Sequence, residues 1–316
     1  MIKSIASRLP IKVTMPLLLS LPVVVVVAVL STVAFVHERR GMNDLAGQSL
    51  SQVHDRIAGR LDDLLWIPAR LTRVNVCLIQ QRKLDPAHPR RWREIVWKQM
   101  TSFDMLSSVT WGDETNGNTM WVARYAGEDY LTFAIKDDRT GEQCHDFRLG
   151  DDGSIVGDAL SKYDFDIQTR PWYAEPRAAG KPTWGKPFVW IDEERKKPPT
   201  LGISYGAPVR GEGEEIIGVI DAELTLHDVS RFLETLAVGK TGLAFVVDTD
   251  GLLVANSCGA AVTGMSEGSP VQLAAHLSSD ERIAAAAGHL QQEAGTGVTL
   301  AEPYQGKVAV GGETHL

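Results

Sequence analysis

Arg170, Pro171, Trp172 and Tyr173 are the densest group of side chains with chemical potential in this sequence, and Tyr163, Asp164, Phe165 and Asp166 lie just before them. A guanidinium is the natural fork for a carboxylate, because it makes two parallel charge-assisted hydrogen bonds. Trp and Tyr beside it supply an apolar wall with polar tips, which suits a small amphipathic ligand. Pro171 has a fixed backbone dihedral and biases Arg170 toward an extended shape, so a loop here can hold Arg170, Trp172 and Tyr173 in a defined arrangement. The alternative is that Arg170 pairs with Asp164 or Asp166 and the aromatics are core; the residues alone leave both open. Farther along, Asp221 and Glu223 are two apart in a strand-like stretch, which directs both to one side. Tyr205, on a candidate strand at 201–209, is a further candidate for the same cavity.

Other signals look catalytic and are read as structural. Gly239-Lys240-Thr241-Gly242 suggests a phosphate loop, but that pattern needs a glycine five residues earlier, where Glu234 stands. The expectation there is a turn entering a second sheet. The eight histidines form no H-E-x-x-H, and Ser204 and Ser257 lack the G-x-S-x-G elbow. His145 beside Cys144 is separated from it by strand alternation. Cys77, Cys144 and Cys258 are too scattered for a disulfide framework or a zinc site. No catalytic residue, metal or cofactor is expected.

The elements that must position these side chains follow from periodicity. Residues 13–36 form one apolar run; 22 residues from Met15 to Val36 carry no charge, with Ser20, Ser31 and Thr32 the only polar side chains. A helix of that length spans the hydrocarbon core of a bilayer, and it is longer than the apolar part of a cleaved signal. Lys3, Arg8 and Lys12 on the near flank place residues 1–12 in the cytoplasm and the remainder outside. Leu50, Val53, Ile57, Leu61, Leu64, Leu65, Leu71, Val74 and Leu78 recur at three- and four-residue spacing, predicting a long stalk helix over 37–80 with a kink at Pro68. Such a helix is a plausible pairing element for a homodimer.

A loop and a helix follow over 81–100. The period then changes to two, predicting strands at 105–111, 119–125, 130–136, 144–149, 183–190, 201–209 and 216–223, joined by turn-rich links into an antiparallel meander. Leu226, Val229, Phe232, Leu233 and Leu236 make a helical face with Thr225 as candidate N-cap. A smaller second module has strands at 243–247 and 252–255, a helix near 281–290 and a strand at 307–310. The chain has 32 basic and 40 acidic residues, net −8. Without a basic-aromatic stripe, that argues against nucleic acid as a partner.

Taken together, Arg170-Pro171-Trp172-Tyr173, Gly180-Lys181-Pro182-Thr183-Trp184, Gly218-Val219-Ile220 and the segment 238–248 follow a membrane helix and a long helix. That series resembles the double Cache (dCache) extracytoplasmic sensor domain of bacterial transmembrane receptors, over residues 37–316. The resemblance implies an α+β fold of two PAS-like modules with antiparallel sheets: a membrane-distal, ligand-holding module at 81–236 and a membrane-proximal one at 237–316, read as truncated. It implies no enzyme in this stretch, and an inner-membrane receptor input whose second span and output, a cyclase or histidine kinase, lie beyond Leu316.

In the amino-acid-binding branch, the motif Arg and Trp hold the ligand carboxylate, which carries over to Arg170 and Trp172, with Tyr173 matching as well. The Tyr expected before the motif is Phe165, with Tyr163 two residues away. The Asp expected after the G-V segment is Glu223 by spacing, with Asp221 two residues earlier. The implied ligand is a small carboxylate, amino acid or organic acid. The competing classes are a membrane-anchored extracytoplasmic hydrolase and a non-sensing scaffold.

Overall fold

The computed structural model describes residues 11–125, 127–190, 199–236, 238, 241–294, 308–310 and 313–315. The chain divides into two compact units, Met1–Arg56 and Ile57–Leu316.

The span and stalk expected as two pieces are one helix, α1 (Ile11–Gln80). In the first unit, Ser20–Glu38 has a mean hydropathy of 2.2 and is long and apolar enough to cross a membrane. Its large side chains, Val23 to Val27 among them, are exposed rather than packed on protein. In the second unit, Leu64, Pro68, Leu71, Thr72, Asn75 and Ile79 are the buried positions of the helix. Val74, expected on that face, is 51% exposed, and Asn75 takes the inward position instead. The reason is a reciprocal amide pair: Asn75 Nδ2 donates to Gln99 Oε1 (3.2 Å) and Gln99 Nε2 donates to Asn75 Oδ1 (2.7 Å). Pro68 is buried within the helix.

A 3₁₀ turn at Pro89–Trp92 leads into α2 (Arg93–Ser102). Then come β1 (Leu106–Asp113), β2 (Thr119–Arg124), β3 (Leu131–Lys136), β4 (Gln143–Leu149) and β5 (Ile155–Asp164). A 3₁₀ turn at Ile167–Thr169 precedes α3 (Pro171–Ala179). The sheet is completed by β6 (Thr183–Trp184), β7 (Phe188–Trp190), β8 (Thr200–Arg210) and β9 (Ile216–Thr225). It is antiparallel throughout, in the order β5-β4-β3-β2-β1-β9-β8-β6, with β7 also pairing with β8. The single strand expected over 183–190 is split in two. The strand β5 and the helix α3 are additions to the expected elements, which had a loop over 163–173.

One face of this sheet packs against helices through large side chains, with the rings of Trp92 and Trp111 5.1 Å apart. Gly218 of the Gly218-Val219-Ile220 motif is there for packing: a Cβ would meet the Trp111 ring at 2.3 Å and the Gly112 carbonyl oxygen at 2.4 Å. Backbone and a buried indole cannot both give way. Gly218→Ala is therefore expected to destabilise the domain by roughly 1–3 kcal/mol, as overpacking does, read as a fall in Tm.

Next come α4 (His227–Glu234), β10 (Phe245–Val247), β11 (Leu253–Asn256), β12 (Thr263–Ser266), β13 (Ser269–Gln272), α5 (Glu281–Ala294), β14 (Val308–Val310) and β15 (Glu313–His315). Thr225 ends β9, and Leu226 takes the cap position of α4 with no side-chain cap bond. Leu253, Ala275, Ile283 and Ala287 form a small core with α5 laid over the β10–β11 pair. The hairpin β12–β13 is an addition to the expected list. Gly239, Lys240 and Lys307 lie outside the described residues.

Candidate functional site

Strand register decides which side chains share a face. Ser161, Asp146, Ala134, Trp121, Thr110, Asp221 and Gly206 form one cross-strand row from β5 to β8. The adjacent row on the same face carries Thr132, Ala123, Ser108, Glu223 and Ser204. This face, opposite to the one that packs on Trp92, floors a cavity of 1190 Å³. Trp121, Tyr163, Phe165 and Trp172 wall it, with Phe188–Trp190, α4 and residues 259–263 around its rim.

The segment Tyr163–Tyr173 bends through several elements to reach this cavity. Tyr163 is near the end of β5 and donates its hydroxyl to Asp146 Oδ1 at 3.0 Å. Phe165 stacks on Trp121 with centroids 4.9 Å apart. Asp166 caps the short turn by accepting from the Gln168 amide. Arg170 is extended (φ −88°, ψ 131°), as the following proline requires, and stands at the N-cap of α3 with Pro171 in the first turn. A proline at a first helical position was the sequence signal for α3.

The Arg170 guanidinium lies over the Phe165 ring at 4.5 Å and lines the cavity. Asp164 and Asp166 are engaged elsewhere, with the Gln143 side chain and the Gln168 amide. Among the described residues no ion pair holds Arg170, so its hydrogen-bond fork is free on the cavity side.

Trp172 and Tyr173 part company because successive helical positions differ by about 100°. Trp172 lines the cavity and is 7% exposed. Tyr173 is fully buried and points away, donating its hydroxyl to Glu114 Oε2. Arg177 donates to the same carboxylate through Nε (2.6 Å) and a terminal nitrogen. These bonds hold the Glu114 carboxyl below its ordinary range, with the Arg177 hydrogen bond the main cause of lowering. The helix can seat this closely because Gly206 has no side chain; a Cβ there would meet Pro176 Cγ at 2.5 Å. The Tyr173 hydroxyl thus anchors α3 instead of touching a ligand. Tyr173→Phe is expected to lower stability by about 1 kcal/mol and leave ligand affinity unchanged, checked by thermal melting and calorimetric titration.

Tyr205 does not join the site. It pairs across β8–β9 with Ala222, which alternates with Asp221 and Glu223, so it faces the other side of the sheet. There it packs edge-on against Trp184, with centroids 5.2 Å apart.

Asp221 and Glu223 do share the cavity face. Glu223 lines the cavity, is 3% exposed and accepts from the Ser108 hydroxyl at 2.7 Å. Asp221 lies deeper and is fully buried, and neither of its oxygens has a hydrogen-bond partner. The hydroxyls of Ser204 and Thr110 are near enough to favour its charged form without reaching hydrogen-bond geometry. Burial raises the Glu223 carboxyl to about 7, and burial together with the Glu223 charge raises Asp221 well above the carboxylate range. With hydroxyls and, among the described residues, no cation beside them, the two acids favour keeping a proton rather than both ionising.

Ser108, Trp121, Asp146 and Trp190 also line the cavity and were absent from the residues expected at the site. Only the register brings them in: Asp146 and Trp121 lie on the row that also carries Asp221.

No protein-family model matches the chain. Over 93 residues it is 31% identical to the methyl-accepting chemotaxis protein PctB of Pseudomonas aeruginosa, a match that covers 29% of this chain and 14% of that receptor's length. Among solved structures it is similar to the ligand-binding domain of the Campylobacter jejuni chemoreceptor Tlp3, described in complex with 4-methylisoleucine (17% identity, TM-score 0.41, 68% of each chain). It is also similar to the ligand-binding domain of the P. aeruginosa amino acid chemoreceptor PctC, described in complex with GABA (17% identity, TM-score 0.40, 65% of this chain and 74% of that one). A third is the extracellular domain of the putative histidine kinase mmHK1S-Z2 (14% identity, TM-score 0.46, 68% of this chain and 74% of that one).

Proposed function

We propose that this chain is the extracytoplasmic input of a transmembrane receptor, and that its cavity binds a small zwitterion, an amino acid, by its carboxylate and its amine. The observation that carries the reading is the pairing of opposite functions on one cavity: an unengaged guanidinium at Arg170 and a buried, partly satisfied carboxyl at Glu223. A buried acid without a cation is a standing electrostatic cost that an ammonium group relieves. Arg170 supplies the complementary fork, and Trp172, Phe165 and Trp121 supply apolar walls. The partial identity to a chemotaxis receptor supports the same class.

Residues 13–36 serve as the membrane span in this reading, 81–236 as the ligand-holding module and 237–316 as the membrane-proximal one. The long helix is the element whose shift reports binding, and the element through which two copies pair. Binding works through differential affinity for two states of the sensor and needs no bond chemistry. The test is a thermal-shift screen of the full chain in detergent against amino acids and simple organic acids. The reading requires amino acids to raise Tm more than the matching organic acids without an amine. Equal shifts from both would remove the amine from the proposal, and no shift from any would remove the site.

A further inference from the structure

On the cavity floor, three neighbouring strands bring together side chains whose only polar atoms are oxygens. The register sets Thr110 of β1 opposite Asp221 of β9, and Ser108 of β1 opposite Glu223 of β9. On the other side of β9, Ser204 of β8 stands opposite Glu223 and Gly206 opposite Asp221. Residues two apart along a strand share a face, so the five oxygen-bearing side chains form one patch. None of them is more than 4% exposed.

Hydrogen bonds tie part of the patch together. Ser108 Oγ donates to Glu223 Oε2 at 2.7 Å and lies 3.3 Å from Thr110 Oγ1. Asp221 is the member left over. Neither of its carboxyl oxygens has a hydrogen-bond partner, though Ser204 and Thr110 stand beside it. Among the described residues no lysine, arginine or histidine acts on either acid. A buried carboxylate with no partner carries a large electrostatic cost. An amine in the cavity reaches Glu223, which lines it, whereas Asp221 lies behind the lining.

The choice of atoms narrows the occupant. Among the described residues no group of three or more histidine, cysteine or acidic side chains is placed to hold a metal. This patch offers neither nitrogen nor sulfur, which disfavours a zinc-type centre and suits a hard cation with oxygen ligands. Its two carboxylates and three hydroxyls hold seven oxygens, within the roughly six to eight that calcium takes. Magnesium demands a tighter octahedron and keeps more of its water. Two carboxylates also match a double positive charge. Ser108, Thr110 and Glu223 line the cavity, which gives an ion its way in.

We propose that Asp221, Glu223, Ser108, Thr110 and Ser204 form a calcium site in the floor of the ligand cavity. The two acids neutralise the ion, and the hydroxyls complete its oxygen shell. The ion then sits beside the acid assigned to the ligand's amine, so ion and ammonium exclude each other at Glu223. The proposal stands on the oxygen patch and does not depend on the amino-acid reading.

The deciding experiment is thermal melting of the full chain in detergent at pH 8, stripped with a chelator that is then removed. Calcium, magnesium or potassium chloride is added, with no amino acid present. Millimolar calcium is expected to raise Tm by about 3 °C or more, magnesium by less than half as much, and potassium not at all. Asp221→Asn, which keeps the shape and removes the charge, should abolish the calcium shift. Asp158→Asn, at an exposed acid on β5, should keep it in full. Terbium(III), a calcium substitute that emits when excited through a nearby indole, gives a second reading on the wild type. Trp121 is on the same cross-strand row as Asp221, two strands away. Bound terbium should therefore luminesce on tryptophan excitation, and calcium should remove that signal by displacement.

Equal shifts from calcium and magnesium, a calcium shift that survives Asp221→Asn, or no shift at all would overturn the proposal. If Asp221→Asn does not fold, terbium emission that calcium leaves unchanged overturns it. Amino acids that bind where calcium does not would remove the ion site alone. Calcium that binds where amino acids do not would remove the amino-acid reading and leave the ion site standing.

Discussion

Arg170→Ala is expected to abolish the ligand-induced rise in Tm while leaving the ligand-free protein nearly as stable as the wild type. The asymmetry follows from what Arg170 touches. It is exposed, it makes no ion pair among the described residues, and its contact within the fold is with the Phe165 ring at 4.5 Å. Losing a cation–π contact at such a site costs about 0.5–1 kcal/mol. Losing a two-pronged bond to a carboxylate in a partly enclosed cavity removes roughly 2–4 kcal/mol of binding, or about thirtyfold to several hundredfold in affinity. Arg170→Lys keeps the charge but not the fork, so it should recover only part of the affinity. A variant that binds as tightly as the wild type would show that the carboxylate sits elsewhere. A variant that loses several kcal/mol of stability without ligand would make Arg170 a structural residue.

Without ligand, the protein is expected to be more stable at pH 5 than at pH 8, and Glu223→Gln is expected to flatten that slope. Burial raises the Glu223 carboxyl to about 7 in the folded state, and Asp221 beside it is raised further by burial and by the Glu223 charge. In the unfolded chain both titrate near 4. Between those values the folded state binds more protons than the unfolded one, so stability falls as pH rises. It is full below about pH 4 and is lost as pH passes through about 7, on the order of 3 kcal/mol for a shift of this size.

Acids lowered by partners, such as Asp280 at about 2 and Glu114 beneath Arg177, act in the opposite sense but only at lower pH. His145, pushed down mainly by burial, works against the slope near neutrality. The difference between wild type and Glu223→Gln isolates the acid pair, since His145 is common to both. At pH 8 the variant should melt higher than the wild type, because it no longer brings two buried charges together. A wild-type Tm that rises from pH 5 to pH 8, or a variant with the same slope, would remove this account. The same pair couples ligand to proton: an ammonium at Glu223 favours its ionised form and displaces its proton, so affinity should increase across that range.

The α+β order was legible from periodicity alone. The switch from three-and-four spacing to alternation near residue 105, and back near 226, marks where α1 and α2 give way to the sheet and where α4 begins. The motif at Arg170–Tyr173 was legible as a carboxylate fork with aromatic company, because residue type and proline geometry are local properties. Its helix was misread as loop because Pro171 and Pro176 suppress the local helical pattern, although the first of these is the permitted N-terminal proline.

What depended on tertiary structure was membership of the site. Tyr205 and Glu223 both lie on neighbouring strands of one sheet, and a shift of a single residue in pairing would exchange their faces. Asp146 is 77 residues from Glu223 in sequence, and only the order of five strands places the two on the same floor. Tyr173 shares a motif with Trp172 yet serves the fold, since one helical step turns it to Glu114. The residue types and their local geometry follow from short-range sterics, which a sequence carries in its neighbours. The placement of Arg170, Glu223 and Asp146 around one cavity follows from long-range strand pairing, which is settled by the packing of the whole sheet.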